Sequence, residues 1–313
     1  MKPLLLNDLV EDCCNTLKLN HPGCDVFCGS LVDIDFTPYA GKVDVLAAGC
    51  PCQSFSTAGD RAGLDDQRGN VMLEYIKIAM FIKPKVILIE NVVGLLNHEG
   101  GETFNILQGL LTESGEYDFN FKILNANDHG VCQKRKRVFI ICIKRTLGTV
   151  FEYPVPLEYK PVLGDILSNV PTSAAATFSE KKRKFLSYVE PGRDWKVMPE
   201  EVIREFMGDA YGTGASKREK LRKMSMSEPA LTLLCAPNHF CHPEELRPFT
   251  VREYARIQSF PDSYQFHGAM GSQYKQIGNA VPVELAYHIA LSITKALSER
   301  PPSETRDGEL KVQ

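Results

Sequence analysis

Short apolar runs alternate with stretches of helical spacing through the first half of the chain, and this alternation restricts the fold more than any other feature. Residues 43–48 (VDVLAA), 85–90 (KVILIE), 119–124 and 137–143 (RVFIICI) read as strands, with helical periodicity over 70–82 and 103–111. Such β/α alternation predicts an α/β fold with a mostly parallel, doubly wound sheet. The rhythm stops near Pro154, Pro156 and Pro161, a plausible domain edge. From about residue 163 to 262 the pattern is irregular. Residues 283–298 then read as a long amphipathic helix and 299–313 as a polar tail.

Composition narrows the class. A chain of 313 residues, 43% hydrophobic and 24% charged, is an ordinary globular mixture able to bury a core. A net charge of −3 announces no whole-chain affinity for nucleic acid, so any such surface needs local clustering. Residues 180–223 supply it, with twelve Lys/Arg against eight Asp/Glu. No apolar run is long enough to suggest a membrane span, and no secretory leader is evident at the start. The ten cysteines are scattered, several inside apolar runs, and lack paired Cys-x-x-Cys spacing. They predict reduced thiols, no metal and an intracellular setting.

In a parallel doubly wound sheet, sites form beyond the carboxyl ends of the strands. Two runs deliver polar residues there: VDVLAAG leads into Cys50-Pro51-Cys52-Gln53, and KVILIE ends on Glu90 followed by Asn91. On neighbouring strands, Cys52 and Glu90 can face one pocket. A thiol beside a carboxylic acid suits attack on a pyrimidine: the thiolate adds to C6 and the carboxyl bonds N3. A third element is the run from Gln133 to Arg137, where strand alternation puts Gln133, Arg135 and Arg137 on one face. Each piece alone has a plainer reading: a buried structural cysteine, a strand-end turn, a solvated basic face.

Taken together, the segments AGCPCQSFSTAG, DQRGN, PKVILIENV, LNANDHGVCQKRKRVFIIC, RPFTVREYARIQSFPDSY and QIGNAVP resemble the DNA cytosine-5 methyltransferases, from about residue 7 to 297. The resemblance implies a Rossmann-like methyltransferase sheet with a smaller, irregular target-recognition domain. The catalytic domain would span 1–162, target recognition and hinge 163–262, the return to the catalytic domain 263–298, and a tail 299–313. It implies S-adenosylmethionine as cofactor and double-stranded DNA as partner. Cys52 is the implied nucleophile, Glu90 the N3 partner and Arg135 the base and transition-state contact, with Arg137 bracing the site. Cys50 is expected to pack. Residues 54–68 resemble the loop that closes over an extruded cytosine. Gln53, Ser54, Ser56, Asn91, Gln133, Arg137, Lys217 and Arg218 are the expected substrate or DNA contacts. Asp8, Ser30, Leu31, Pro51, Asn279 and Ala280 are expected around the cofactor.

The chain also departs from the family. Members open with an apolar strand and a Phe-x-Gly-x-Gly turn, whereas residues 1–6 here lead straight to Asn7 and Asp8. Asp8 stands where a Glu usually holds the ribose, and Ser30 where an Asp meets the adenine. The expectation is an N-terminally incomplete domain, weak cofactor binding, and a second polypeptide as a candidate source of the strand. Two rival readings remain: an RNA (tRNA) cytosine-5 methyltransferase, and a catalytically weak DNA-binding subunit.

Overall fold

The structure, a computed structural model, describes residues 1–50, 71–208 and 221–299. The chain divides into two compact units.

One unit comprises residues 35–124, 137–154 and 288–313. Its core is a four-stranded sheet in the order β3-β4-β7-β5, from β3 (Val45–Ala48), β4 (Val86–Val92), β5 (Tyr117–Asn125) and β7 (Lys136–Lys144). Strands β3 and β4 pair parallel, joined through α2 (Val71–Ile82), as a right-length crossover requires. Against the expectation of a mostly parallel sheet, β4 and β7 pair antiparallel, Glu90 opposite Phe139 and Val92 opposite Arg137. A run such as VFIICI is buried on both faces in either direction, so its pattern carries no information on polarity. Ile87, Ile89, Val138, Ile140 and Cys142 pack with Met72, Ile76 and Ala79 of α2 and with Leu107 and Leu111 of α3 (Glu102–Thr112).

The other unit comprises residues 1–34, 125–136 and 155–287. It begins with a βαβ turn of chain: β1 (Leu5–Asp8), α1 (Glu11–Asn20) and β2 (Asp25–Cys28), with β1 and β2 parallel and Asp8 beside Cys28. Among the described residues β1 pairs with β2 alone, as a two-stranded sheet. Helix α1 is tied to residues that follow in sequence much later: Thr16 bonds Gln276 (2.7 Å), and Asn20 bonds Gln265 in both directions (2.7 and 2.9 Å).

A second core in this unit gathers Cys132, Leu163, Met224, Leu233, Phe249, Tyr254 and Ile277. It is built around α7 (Val251–Ile257) and α8 (Met270–Asn279); the next helix, α9 (Val283–Ser298), begins in this unit and from residue 288 belongs to the other. Short pieces complete it: β6 (Gln133–Lys134) pairs parallel with β9 (Ala230–Leu231), and β8 (Arg222–Lys223) with β10 (Phe240–Cys241). Between them run α4 (Leu163–Ile166), α5 (Glu180–Leu186) and α6 (Glu200–Met207). The entrance and exit of that stretch are bonded to each other, Leu163 N–H to the Glu228 carbonyl (3.0 Å) and Gly164 N–H to the Met226 carbonyl (2.8 Å). The backbones meet so closely that a Cβ on Gly164 would lie 3.1 Å from the Met226 oxygen. Inside the stretch, Phe185, Leu186, Val189, Trp195 and Ile203 form a satellite core. Trp195, the only tryptophan, is thus a packing anchor.

Candidate active site

The carboxyl ends of β3 and β4 carry the first group of site residues. Cys50 is buried among Tyr75, Ile87 and Ile89, and burial pushes its thiol up to about 12. A thiol so raised stays protonated at neutral pH, which suits the packing role expected of it. Asn91 is also buried: its amide donates to the Cys50 carbonyl (2.8 Å), and its Oδ1 accepts from the Val92 N–H (2.8 Å). It clamps the end of β4 to the segment that leads into Pro51 and Cys52. Pro51, Cys52, Gln53, Ser54 and Ser56 themselves lie outside the described residues, as do Lys217 and Arg218.

Beside the clamp, Glu90 pairs with Arg137, Nε to Oε1 at 3.1 Å, and each side chain is only 14% exposed. Burial lowers the Arg137 pKa, and the Glu90 charge acts in the opposite direction. Gly49 lies beside this carboxylate: a Cβ there would meet Glu90 Oε2 at 3.5 Å, an ordinary contact, so the position does not require glycine.

The second group sits on β6. Burial alternates along the run, with Gln133 and Arg135 buried and Lys134 and Lys136 exposed, as strand spacing predicts. Gln133 is fully enclosed: its Oε1 accepts from the Leu233 N–H (3.0 Å), and its Nε2 donates to Gln258 Oε1 (2.8 Å). Arg135 donates from Nη1 to the Leu233 carbonyl (3.4 Å). Three of the expected DNA contacts, Gln133, Asn91 and Arg137, are therefore engaged within the protein, because burial obliges a polar side chain to find protein partners.

A third group lies at the carboxyl ends of β1 and β2. Asp8 accepts from the Val10 N–H through Oδ1 (2.8 Å) at the entry to α1. Burial, and then the Asp8 carboxylate, push the Cys13 thiol up to about 11. Asn7, which sequence reasoning passed over, donates to the Phe27 and Gly29 carbonyls (3.0 and 2.9 Å) and fixes the turn after β2. That turn presents Ser30 at the cap of a short 3-10 helix, Leu31–Asp33, with no capping bond from its hydroxyl. Asp8, opposite Cys28 in the register, and Ser30, two residues beyond Cys28, thus both lie at the carboxyl ends of paired parallel strands, a set that fits a nucleoside: a carboxylate for ribose hydroxyls and a hydroxyl for the base.

The fourth group is the turn that ends α8. Asn279 is exposed, and its Oδ1 accepts from the Cys235 thiol (2.9 Å). The Ala280 carbonyl accepts from Gln258 Nε2 (3.1 Å). Gly278 is required there, since a Cβ would come within 2.8 Å of the Leu234 carbonyl carbon and closer still to its oxygen. All nine cysteines among the described residues are free thiols. No helix among the described residues is long and apolar enough to cross a membrane.

Comparison with known proteins matches residues 1–295 to the family model for C-5 cytosine-specific DNA methylases. Type II methyltransferase M.Eco47II of Escherichia coli is 41% identical over 96% of this chain and 75% of its own length. Type II methyltransferase M.Sau96I of Staphylococcus aureus is 40% identical over 93% and 70%. Among solved structures, a DNA modification methyltransferase encoded within an E. coli prophage superposes with a TM-score of 0.73 at 19% identity, covering 94% of this chain and 92% of that one. Spodoptera frugiperda DNMT2 gives 0.68 at 18% identity, covering 95% and 92%. These two establish a Rossmann-like methyltransferase fold. Nothing in the comparisons supports the second polypeptide expected as a source of an extra strand. The chain belongs to the C-5 cytosine-specific DNA methylase family and is a DNA cytosine-5 methyltransferase.

Proposed function

We propose that this chain methylates C5 of cytosine in double-stranded DNA, as a Type II modification enzyme, through a covalent adduct between Cys52 and C6 of a base flipped out of the duplex. A stacked ring hides its C6 face from a protein thiol, so extrusion must precede attack. Such work on DNA places the chain inside the cell. The observation that carries the reading is the pair of contacts at the strand ends beside the segment entering Cys52: Asn91 on the Cys50 carbonyl and Arg137 on Glu90.

In this reading the Cys52 thiolate adds to C6 while Glu90 shares a proton with N3, which takes up the charge displaced into the ring. Arg137 holds Glu90 in place, and Arg135 stabilises the adduct electrostatically at the base carbonyl. C5 then takes the methyl group, loses its proton, and Cys52 leaves C6. S-adenosylmethionine supplies that methyl group as an electrophile when bound. Asp8, Ser30, Leu31, Pro51, Asn279 and Ala280 would hold it. Residues 163–262 would choose the DNA target. Their basic cluster, with Lys217 and Arg218, would meet phosphates and supply affinity without sequence information.

The test uses a duplex containing 5-fluorocytosine with S-adenosylmethionine present. The fluorine cannot leave as a proton does, so a covalent protein–DNA complex should accumulate, and Cys52→Ala should abolish it. Trapping that survives the substitution removes Cys52 from the mechanism. Methyl transfer to tRNA in place of DNA overturns the substrate assignment.

A further inference from the structure

Residues 232–235 (TLLC) are gripped from two directions. From one side the Thr232 hydroxyl donates to the Lys134 carbonyl (2.8 Å), and Leu233 meets Gln133 through its N–H and Arg135 through its carbonyl. From the other side the Leu234 carbonyl abuts Gly278 and accepts from the Tyr254 hydroxyl (2.9 Å), while the Cys235 thiol reaches Asn279.

One side chain joins the two sides directly. Gln258, at the end of α7, is fully buried. Its Oε1 accepts from Gln133, and its Nε2 donates to the Ile277 carbonyl (2.7 Å) as well as to Ala280. Both its amide hydrogens are therefore used, and Gln133 uses its oxygen and one hydrogen. The backbone carbonyl of Gln258 meanwhile accepts from Val283 N–H (3.1 Å) at the start of α9. A chain of directional bonds thus runs from the turn at 277–280 through Gln258 and Gln133 to the Leu233 N–H, and the Leu233 backbone carries it to the carbonyl that Arg135 grips. Neither amide can rotate by half a turn without setting donor against donor, so the relay has one register.

We infer that Gln258 is a positioning residue for methyl transfer: through Gln133 and the Leu233 backbone it sets Arg135 in register with the turn at Asn279 and Ala280, so the seats of cofactor and base are fixed together. This rests on the roles proposed above for Arg135 and for that turn. Methionine at 258 keeps the length of the side chain and removes all three of its bonds.

The experiment measures two quantities on folded protein, below its melting point: the Kd for S-adenosylmethionine by calorimetry, and the trapping rate on 5-fluorocytosine DNA at saturating cofactor. Gln258→Met should weaken cofactor binding about fivefold and, even at saturation, slow trapping about tenfold, a loss of the kind that marks an interaction made in the transition state. Gln133→Met breaks the same bridge from its other end and should show the same split, so it decides the matter alone if Gln258→Met does not fold. The double variant should be no worse than the worse single one, because members of one network are not additive. A packing role gives a different pattern: a lower melting temperature with unchanged affinity and trapping in the folded fraction, or single losses that multiply in the double variant. Either pattern overturns the inference. An unmutated chain that neither binds cofactor nor traps DNA overturns the proposed function first, before any substitution is made, and the positioning role with it.

Discussion

Glu253 is where a single substitution should cost this fold most for the fewest atoms changed. It lies on the first turn of α7, only 6% exposed, and accepts from both Arg247 Nη atoms at 2.7 and 2.9 Å. The same carboxylate accepts from the Thr250 N–H (2.7 Å), while the Thr250 hydroxyl accepts from the Glu253 N–H (3.2 Å), a reciprocal capping box. Glu253→Ala strips the helix of one half of its cap and leaves Arg247 with the Pro248 carbonyl and Glu245, the latter a residue on the wet side. Breaking a buried pair costs about 3–5 kcal/mol, and the Arg247 side chain is 26% exposed, which argues for the lower end, about 3 kcal/mol. At this chain size that is a fall in thermal midpoint on the order of 6 °C. Glu253→Gln, which retains one acceptor, should lose about half as much. The pH dependence adds a second check. Burial acts to raise the Glu253 pKa, but the Arg247 guanidinium and the Thr250 N–H outweigh it and hold the carboxyl below its ordinary value. A depressed carboxyl contributes stability that is present above the unfolded pKa, about 4.3, and is lost as pH falls through the folded value. The advantage of the unmutated chain over Glu253→Gln should therefore shrink below about pH 4. Differential scanning calorimetry across pH reads both effects. A midpoint change under about 2 °C at neutral pH, or an advantage that persists undiminished in acid, would refute this account of the ion pair.

Other substitutions probe the site itself. Gly278→Ala drives a methyl group into the Leu234 carbonyl, and should cost more than about 2 kcal/mol together with cofactor affinity; unchanged calorimetric titration and melting would show that the strip can move aside. Asn91→Ala leaves the Cys50 carbonyl and the Val92 N–H without their partner, about 2 kcal/mol by the cost of an unmade buried bond. It should slow trapping more than it weakens DNA binding, and the reverse order would assign Asn91 to substrate contact. Glu90→Gln keeps a donor near N3 but cannot exchange its proton, so turnover should fall while gel-shift affinity for DNA largely survives. Equal losses of both would mark Glu90 as a structural partner of Arg137 only.

The elements with strong periodicity were plain in the sequence. The amphipathic run at 283–298 is α9 to the residue, and KVILIE and the helix before it became β4 and α2 within a few positions. Alternation alone put Gln133 and Arg135 on the face opposite the two lysines; that theirs is the buried face emerged only from the packing against residues 232–235 and Gln258. Strand polarity did not follow, because the side chains of β7 are buried whichever way the strand runs. The partners of site residues were least visible. Glu90 and Arg137 are 47 positions apart, and nothing in either neighbourhood marks them as a pair. Gln258, in the stretch RIQSFP, has no periodic or compositional signal at all, since its role depends on three carbonyl or amide groups from distant turns.

The bonded mouth at Leu163–Gly164 and Glu228–Met226 has a consequence for how such a chain can change. A stretch of more than sixty residues departs and returns at one spot, so its ends stay together whatever lies between them. Lengthening a loop whose ends are already joined adds little entropy cost, about 0.6 kcal/mol per doubling. Target choice, if it resides there, can then be exchanged as a cassette, cut at the glycine and rejoined before Glu228, while Gln133, Arg135 and Gln258 keep their alignment. Chimeras between relatives of unequal length should accept that junction more readily than one placed inside residues 230–235, where the strand pairing of Ala230 and Leu231, the Thr232 hydroxyl, the Leu233 N–H and the Leu234 carbonyl are already bonded into the site.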